Sequence, residues 1–475
     1  MIPHAFARLD SFAFEPSSKL TLQDQLHLRI REAIADGRLS AGERLPSTRS
    51  LAAQLNVARG TVDAAFSRLT AEGYLVGRGA AGTVVATSFV TDPRITLSRP
   101  RRSPPQRARP IDYLWPFRGG LPALDLFPRA LWTGLVAKAA RRVHARALCY
   151  PQAQGLQELR VAIAAYLLVS RGVDCDPSQI IVTSGYQAGL NQALDLVLCP
   201  NDTVWFEDPG YSFARRALAA AQADVAPIPV DAGGMDVDYA LREHPNARLA
   251  VVTPGHQSPL GMSLSLPRRQ ALLHWAADTG AWVLEDDYDS EFHYRGRKPA
   301  ALKSIDRRDR VFFAGSFSKT LFPGLRLGYL VVPEAWMDAA AGACELRSRG
   351  QSALDQAVVA AFLAEGHFAR HLRRMRLRYA ERRAALVQAL VGQFGDEVQL
   401  ERPDGGLTLV VRFPGRESDT ELVDRARVAG MAPSALSAHA IRHDPGNALL
   451  LGFTNIKPEE APEIAQRLGR AIGKL

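Results

Sequence analysis

The chain has 475 residues, 47% of them hydrophobic and 23% charged, the composition of a globular protein long enough for two or three domains. It contains no unbroken apolar run of about eighteen residues, and MIPHAFARLDSF at the start lacks the apolar core of a leader, so a membrane span and secretion are not expected. The four cysteines, Cys149, Cys175, Cys199 and Cys344, are scattered without a CxxC pair, which speaks against a disulfide framework and against zinc, implies no metal, and fits a cytoplasmic protein.

The net charge of +9 is unevenly spread. Residues 1–110 carry 16 Lys and Arg against 9 Asp and Glu (+7), leaving 42 against 40 (+2) for the rest. A basic terminal module on a nearly neutral body predicts a polyanionic partner for that module, most simply nucleic acid; solvated surface charge is the alternative.

In chain order, LTLQDQLHLRIREAIADG (20–37) has apolar residues at helical spacing and stops at Gly37. LPSTRSLAAQLN (45–56) offers Ser47 as an N-cap after a proline, and RGTVDAAFSRLTAEG (59–73) is a third helix ended by Gly73. YLVGRGAAGTVVAT (74–87) is a pair of short strands around a glycine-rich turn. Residues 88–116 hold six prolines and six arginines without apolar periodicity, the pattern of a stiff, basic, exposed linker. The organisation expected is therefore a DNA-binding module over 14–87, a linker over 88–116 and a body over 117–475.

The body alternates strand-like runs with amphipathic stretches. The strand-like runs are IIVTS (180–184), TVWFED (203–208), LAVVTP (249–254), AWVLEDD (281–287), RVFFAGS (310–316) and LGYLVVP (327–333). Such alternation predicts a largely parallel sheet covered by helices on both faces. DGGLTLVVRF (404–413) and NALLLGF (447–453) suggest a smaller α+β subdomain at the C-terminal end.

Three helices and a hairpin in 14–87 make a winged helix-turn-helix, its third helix the one that enters the major groove. Arg44 and Arg49 flank the second helix beside Ser47, Arg59 and Thr61 open the third, and Arg78 and Gly79 lie on the wing. Arginine suits both phosphate and guanine. GRLSAGERLPSTRSLAAQLNVARGTVDAAFSRLTAEGYLVGRGAAGTVV (37–85) resembles the DNA-binding domain of GntR-type bacterial regulators. The resemblance implies contacts to double-stranded operator DNA by Arg49, Arg59 and the wing near Gly79. Ala58 stands where such proteins often have a serine or threonine cap, and Asp63 where some have a basic contact.

Four features of the body fit one site. TSGYQAGLNQAL (183–194) is a strand end, a glycine turn and a helix start, whose free amides suit a phosphate. EDDYDSEF (285–292) gathers acids at a strand's carboxyl end. GSFSK (315–319) puts Lys319 after another strand, with Ser316 and Ser318 close by, and Arg326 follows seven residues on. A desolvated lysine has a depressed pKa, and its neutral amine condenses with aldehydes. Pyridoxal phosphate needs such a lysine, a phosphate cradle and an acid for its ring nitrogen; a snorkelling surface lysine is the plainer alternative.

GLQELRVAIAAYLLVSRG (155–172), VWFEDPGYSFAR (204–215), VVTPGHQSPLGMSLSLPRRQALLHWA (251–276), VLEDDYDSEFHYRGR (283–297) and SFSKTLFPGLRLGYLVVP (316–333) resemble the fold-type I aminotransferases. With the N-terminal module the chain resembles a MocR-type regulator. The resemblance implies that Lys319 forms the Schiff base with pyridoxal 5'-phosphate, that Asp286 pairs with the pyridine nitrogen, and that Tyr288 bonds the ring's phenolic oxygen. It implies that Tyr211 covers the ring and that Gly185, Tyr186, Gln187, Ser316 and Arg326 hold the phosphate. It further implies a head-to-tail homodimer in which Tyr150 reaches the neighbouring subunit's phosphate.

Two departures stand out. Ser258, in the loop His256–Gln257–Ser258, occupies a position where aminotransferases usually have asparagine. Leu450 occupies that of the arginine that grips a substrate's carboxylate, with Arg442 a nearby substitute. A site without its clamp loses much of the orientation that turnover requires. The expected function is thus a regulator whose body senses pyridoxal phosphate, or a small amine or amino acid bound through it, without sustained turnover. The alternative is a working aminotransferase with an accessory DNA-binding module; a lyase or racemase on the same scaffold, or half-reactions only, are weaker readings.

Overall fold

A computed structural model describes residues 14, 20–79, 82–87, 114–143, 148–294, 296, 298–401, 405–414 and 418–473. It divides into two compact units, Met1–Arg109 and Pro110–Leu475. The expected linker lies outside the described residues from 88 to 113. No helix among the described residues is long and apolar enough to cross a membrane.

In the first unit, helices Leu22–Ala35, Thr48–Leu55 and Arg59–Ala71 precede strands β1 (Leu75–Gly77) and β2 (Thr83–Val85). Thr21 and Ser47 cap the first two helices, accepting hydrogen bonds from the amides of Asp24 and Ser50 at 3.2 and 3.1 Å. The second helix ends at Asn56 in the left-handed conformation, so the chain can turn into the third. Leu26, Ile30, Leu51, Val62 and Leu69 are fully buried and form the core. The wing is antiparallel, Leu75 facing Val85.

The body is built on an eight-stranded sheet in the order β3-β10-β9-β8-β7-β4-β5-β6. The strands are β3 (Ile180–Thr183), β4 (Thr203–Asp208), β5 (Asp224–Asp231), β6 (Gly234–Met235), β7 (Leu249–Val252), β8 (Trp282–Asp287), β9 (Val311–Ser316) and β10 (Gly328–Val331). Strands β9, β8, β7, β4 and β5 are parallel, as alternation predicts, whereas β10 runs antiparallel to both β3 and β9. Separate apolar clusters cover the two faces of the sheet. The smaller C-terminal sheet is antiparallel in the order β11-β12-β14-β13: β11 (Gln399–Glu401), β12 (Thr408–Arg412), β13 (Ser434–Ala435) and β14 (Leu449–Gly452).

Register decides where the site lies. Gly328 is paired with Thr183 on one side and Ser316 on the other, and Asp287 with Gly315. The carboxyl ends of β3, β8 and β9 therefore meet in one row, the usual place for a ligand in an open α/β sheet. Gly328 cannot be larger, because a Cβ there would stand 2.8 Å from the Gly315 carbonyl oxygen and 2.9 Å from Gly185 Cα.

Candidate functional site

Lys319 is buried at this edge, and its amine donates to the Gly120 carbonyl at 2.5 Å. Burial depresses its pKa, with the charge of Arg118 acting the same way, while Asp289 and then Asp286 oppose the shift. The amine is thereby nearer its neutral, nucleophilic form. The segment carrying Gly120 lies across β14: Phe117 bridges to Gly452, where a Cβ would come within 2.2 Å of the Arg118 carbonyl oxygen. His371, on the long helix His367–Phe394, stands 3.0 Å from the carbonyl of Thr320 and so braces the lysine's own segment.

The acids of β8 separate by strand alternation. Glu285 turns to the amides of Leu302 and Lys303, both at 2.8 Å, and Asp287 to Arg171, whose Nε and Nη2 lie 2.8 and 2.9 Å away. Asp286, on the opposite face, turns to the site. Burial pushes its carboxyl well above the usual range, opposed by the Tyr186 hydroxyl and reinforced by Asp287, Asp289 and Glu207. Asp286 Oδ1 and the Tyr186 hydroxyl are buried without a partner of good hydrogen-bonding geometry. A buried carboxyl in that state is matched to a cationic N–H donor, which is what a pyridinium offers.

Gly185, at φ +110°, ends the turn after β3 and starts helix Tyr186–Val197, whose first amides have no acceptor within the helix. The Arg326 guanidinium hangs over that mouth, 3.7 Å from where a Gly185 Cβ would be. Arg326 itself is left-handed at φ +51°. Ser316 Oγ accepts from the Ser318 amide at 3.1 Å, leaving its own hydrogen for a ligand. Amides, guanidinium and hydroxyl together make an anion cradle. Gln187 turns its side-chain amide towards the Phe213 carbonyl at 3.5 Å, which leaves its backbone amide as the group facing the cradle. Tyr186 likewise contributes its amide there while its side chain faces Asp286.

The Tyr211 ring lies 6.1 Å from that of Tyr186, and burial pushes its pKa up to about 12. Tyr288 is 2.9 Å from His256 Nδ1. Tyr150 is 82% exposed, with the Arg349 guanidinium 5.8 Å from its ring centroid; within one chain it belongs to the surface, apart from the lysine. Leu450 is buried on β14 and packs with Val410, Leu436, Ala448 and Leu260. Apolar contacts thus surround the residue expected at the clamp position. The Arg442 side chain is exposed, and its amide, with those of Ile441 and His443, is held by Asp208 at 2.7, 2.7 and 2.8 Å.

Sequence reasoning did not single out Glu207, Asp208, Asp289 or Gly120. Glu207, fully buried behind the site, accepts from the Thr253 amide at 3.2 Å and the Thr253 hydroxyl at 2.5 Å. Burial raises its pKa from 4.5 to about 7. Between about pH 4.5 and 7 the folded protein therefore holds a proton that the unfolded chain releases. Stability from this group is full below about pH 4.5 and declines by about 3 kcal/mol as pH rises through 7. Between pH 5 and 8 the wild type is expected to lose more thermal stability than Glu207→Gln; parallel losses would contradict the assignment.

On the first unit, Arg49, Arg59, Arg78 and Gly79 are exposed, and Thr61 is half-buried in the first turn of the third helix. Arg59 Nε lies 3.4 Å from Asp63 in an exposed pair worth little, so it can exchange Asp63 for a phosphate. The Arg44 side chain rests on the wing, where a Gly82 Cβ would be 3.0 Å from its Nε. The Ser47 hydroxyl is engaged as the helix cap.

The class defined by these parts is a winged helix joined to an aminotransferase-type body. Residues 22–85 match the gntR family of bacterial regulatory proteins and residues 135–455 match aminotransferase class I and II. The chain belongs to the MocR-type family of regulators that combines the two. It is 37% identical to the probable rhizopine catabolism regulatory protein MocR of Rhizobium meliloti, over 92% of this chain and 91% of that one. It is 33% identical to the HTH-type pyridoxine biosynthesis transcriptional regulator PdxR of Corynebacterium glutamicum, over 93% and 94%. The body is similar to Pyrococcus horikoshii kynurenine aminotransferase in complex with PMP, with a TM-score of 0.69, 27% identity, and 75% and 90% of the two chains covered. It is also similar to LysN, the α-aminoadipate aminotransferase of Thermus thermophilus, with a TM-score of 0.69, 29% identity, and 75% and 91% covered.

Proposed function

We propose that this regulator binds pyridoxal phosphate in its body and uses it to sense either the cofactor itself or a small amino compound. The observation that carries the reading is the buried, depressed amine of Lys319 sharing one strand edge with the Asp286 carboxyl, whose Oδ1 has no well-aligned hydrogen-bond partner, and with the Gly185–Arg326 cradle. These residues fit the group. When bound, it supplies an aldehyde that captures amines. Lys319 holds that end, Asp286 the ring nitrogen, Tyr288 the ring oxygen, and Tyr211 the ring face. The amides of Gly185, Tyr186 and Gln187, with Ser316 and Arg326, take the phosphate. In a head-to-tail homodimer the partner subunit's Tyr150 completes the cradle, which accounts for its exposure here. The test is to add pyridoxal phosphate, reduce with borohydride and map the label by mass spectrometry. The label is expected on Lys319; a label elsewhere, or none, overturns the reading.

Ligand binding in the body would shift the population of DNA-binding geometries of the winged helix. The arginines of its second and third helices meet operator DNA, Arg59 in the groove. Arg59→Ala is expected to weaken binding to the DNA upstream of the gene by about 1–3 kcal/mol, read by fluorescence anisotropy. Unchanged affinity would remove Arg59 from the interface.

A second reading, a working aminotransferase with an accessory DNA-binding module, is favoured by the complete lysine, acid and cradle set. Buried Leu450 weighs against it, since leucine cannot pair with a carboxylate. Sustained turnover of amino acids with a keto acid would reverse this ranking.

A further inference from the structure

We propose that His256, held by Asp289, is a positioning residue that commits the Tyr288 hydroxyl to donate into the cofactor site. The inference rests on the cofactor reading above and adds a group to it.

One imidazole nitrogen, His256 Nδ1, stands 2.9 Å from the Tyr288 hydroxyl and 3.1 Å from Asp289 Oδ1. The Asp289 side chain is only 2% exposed, and that oxygen has no hydrogen-bond partner of good geometry, so its contact with His256 is one of charge proximity. A carboxylate oxygen this close in a poorly solvated site favours a hydrogen on Nδ1 over a lone pair, and the aligned partner of that N–H is the Tyr288 oxygen. A nitrogen that carries its hydrogen cannot accept one from Tyr288. The Tyr288 hydrogen must therefore point elsewhere, towards the pocket, where Ser258 also faces the phenol.

The opposite nitrogen supports the same tautomer. His256 Nε2 is buried without a partner. A bare lone pair there costs less than a buried N–H without an acceptor. The ring packs directly on Gly406, where a Cβ would stand 2.2 Å from His256 Cε1. Gly406 is itself held at φ +84°, with its carbonyl accepting from the Tyr294 hydroxyl at 2.8 Å. The groups facing the couple are thus Tyr288, Ser258, Tyr294, Lys319 and Asp286, together with Glu207 behind them. Of the acids, Asp289 has the strongest influence on Lys319. The sequence read EDDYDSEF as one acidic cluster. The structure gives its fourth acid a task different from that of Asp286.

A hydroxyl that donates to the cofactor's ring oxygen stabilises negative charge there and makes the nitrogen joined to Lys319 less basic. Losing that donor raises the pH at which the bound cofactor's visible band titrates. In full-length protein loaded with pyridoxal phosphate, His256→Ala and Tyr288→Phe are each expected to raise this midpoint by about one pH unit. His256→Asn, whose amide nitrogen falls near Nδ1, should keep the wild-type midpoint, whereas His256→Gln should not. Combining His256→Ala with Tyr288→Phe should add nothing to Tyr288→Phe alone. Histidine-selective 15N NMR on the protein without cofactor should show the Nδ1–H tautomer at His256, lost in Asp289→Asn. An Nε2–H tautomer in the wild type, an unmoved midpoint in His256→Ala, or full additivity would each overturn the proposal. If the wild type develops no visible band, the cofactor reading fails, and the NMR experiment still decides the tautomer.

Discussion

Lys319→Ala is expected to abolish the visible band of bound pyridoxal phosphate and to weaken its retention by at least about a hundredfold, near 3 kcal/mol. The amine is the one group of the site that can bond the aldehyde covalently. Its depressed pKa is caused by burial against the 114–126 segment and the strand edge. Non-covalent holding by Asp286, the Gly185 turn and Arg326 persists, so the variant should still bind the cofactor weakly. Its winged helix should melt as in the wild type, since Lys319 belongs to the other compact unit. Equilibrium dialysis and absorbance measure both effects. A variant with wild-type retention and an intact band would place the covalent bond elsewhere.

The second large effect is expected from Leu69→Ala. Leu69, on the third helix, is fully buried among Leu26, Ile30, Leu51 and Val62 in a core supplied by three short helices and a hairpin. Truncating a buried leucine costs about 2–5 kcal/mol, against a total stability of about 5–15 kcal/mol for a whole domain. A unit this small stands at the lower end of that range. Its melting temperature should fall by at least about 10 °C. Operator binding should be lost at temperatures where the body still takes up cofactor. A melt that leaves the first transition in place would show that the third helix is held by something other than this core.

Several elements were legible because their signals are local. The helices of the first unit were expected within a few residues, since Ser47 caps and Gly37 and Gly73 stop wherever they occur. The strands ending at Asp208, Asp287 and Ser316 were legible as apolar runs closed by polar or small residues. Strand β5 was not expected, because DVAPIPVD carries Pro227 and Pro229, which lack amides. It forms because it lies near the sheet's edge, where β6 pairs only with Val230 and Asp231, so the missing donors face no strand. The reversed direction of β10 was equally illegible, since an apolar run reads the same either way.

The sequence by itself determined the two-part organisation, the lysine, the glycine turn and the acid-bearing strand, because each is written in neighbouring residues and obeys local chemistry. Only the tertiary structure decided which acid does what. Alternation on β8 turns Asp286 to the site while Glu285 and Asp287 turn away, and the loop after it returns Asp289 to His256. It also decided that Leu450 is sealed by Leu260 and Leu436. Such pairings join residues dozens to hundreds of positions apart. They follow from strand register and packing, which no local pattern encodes.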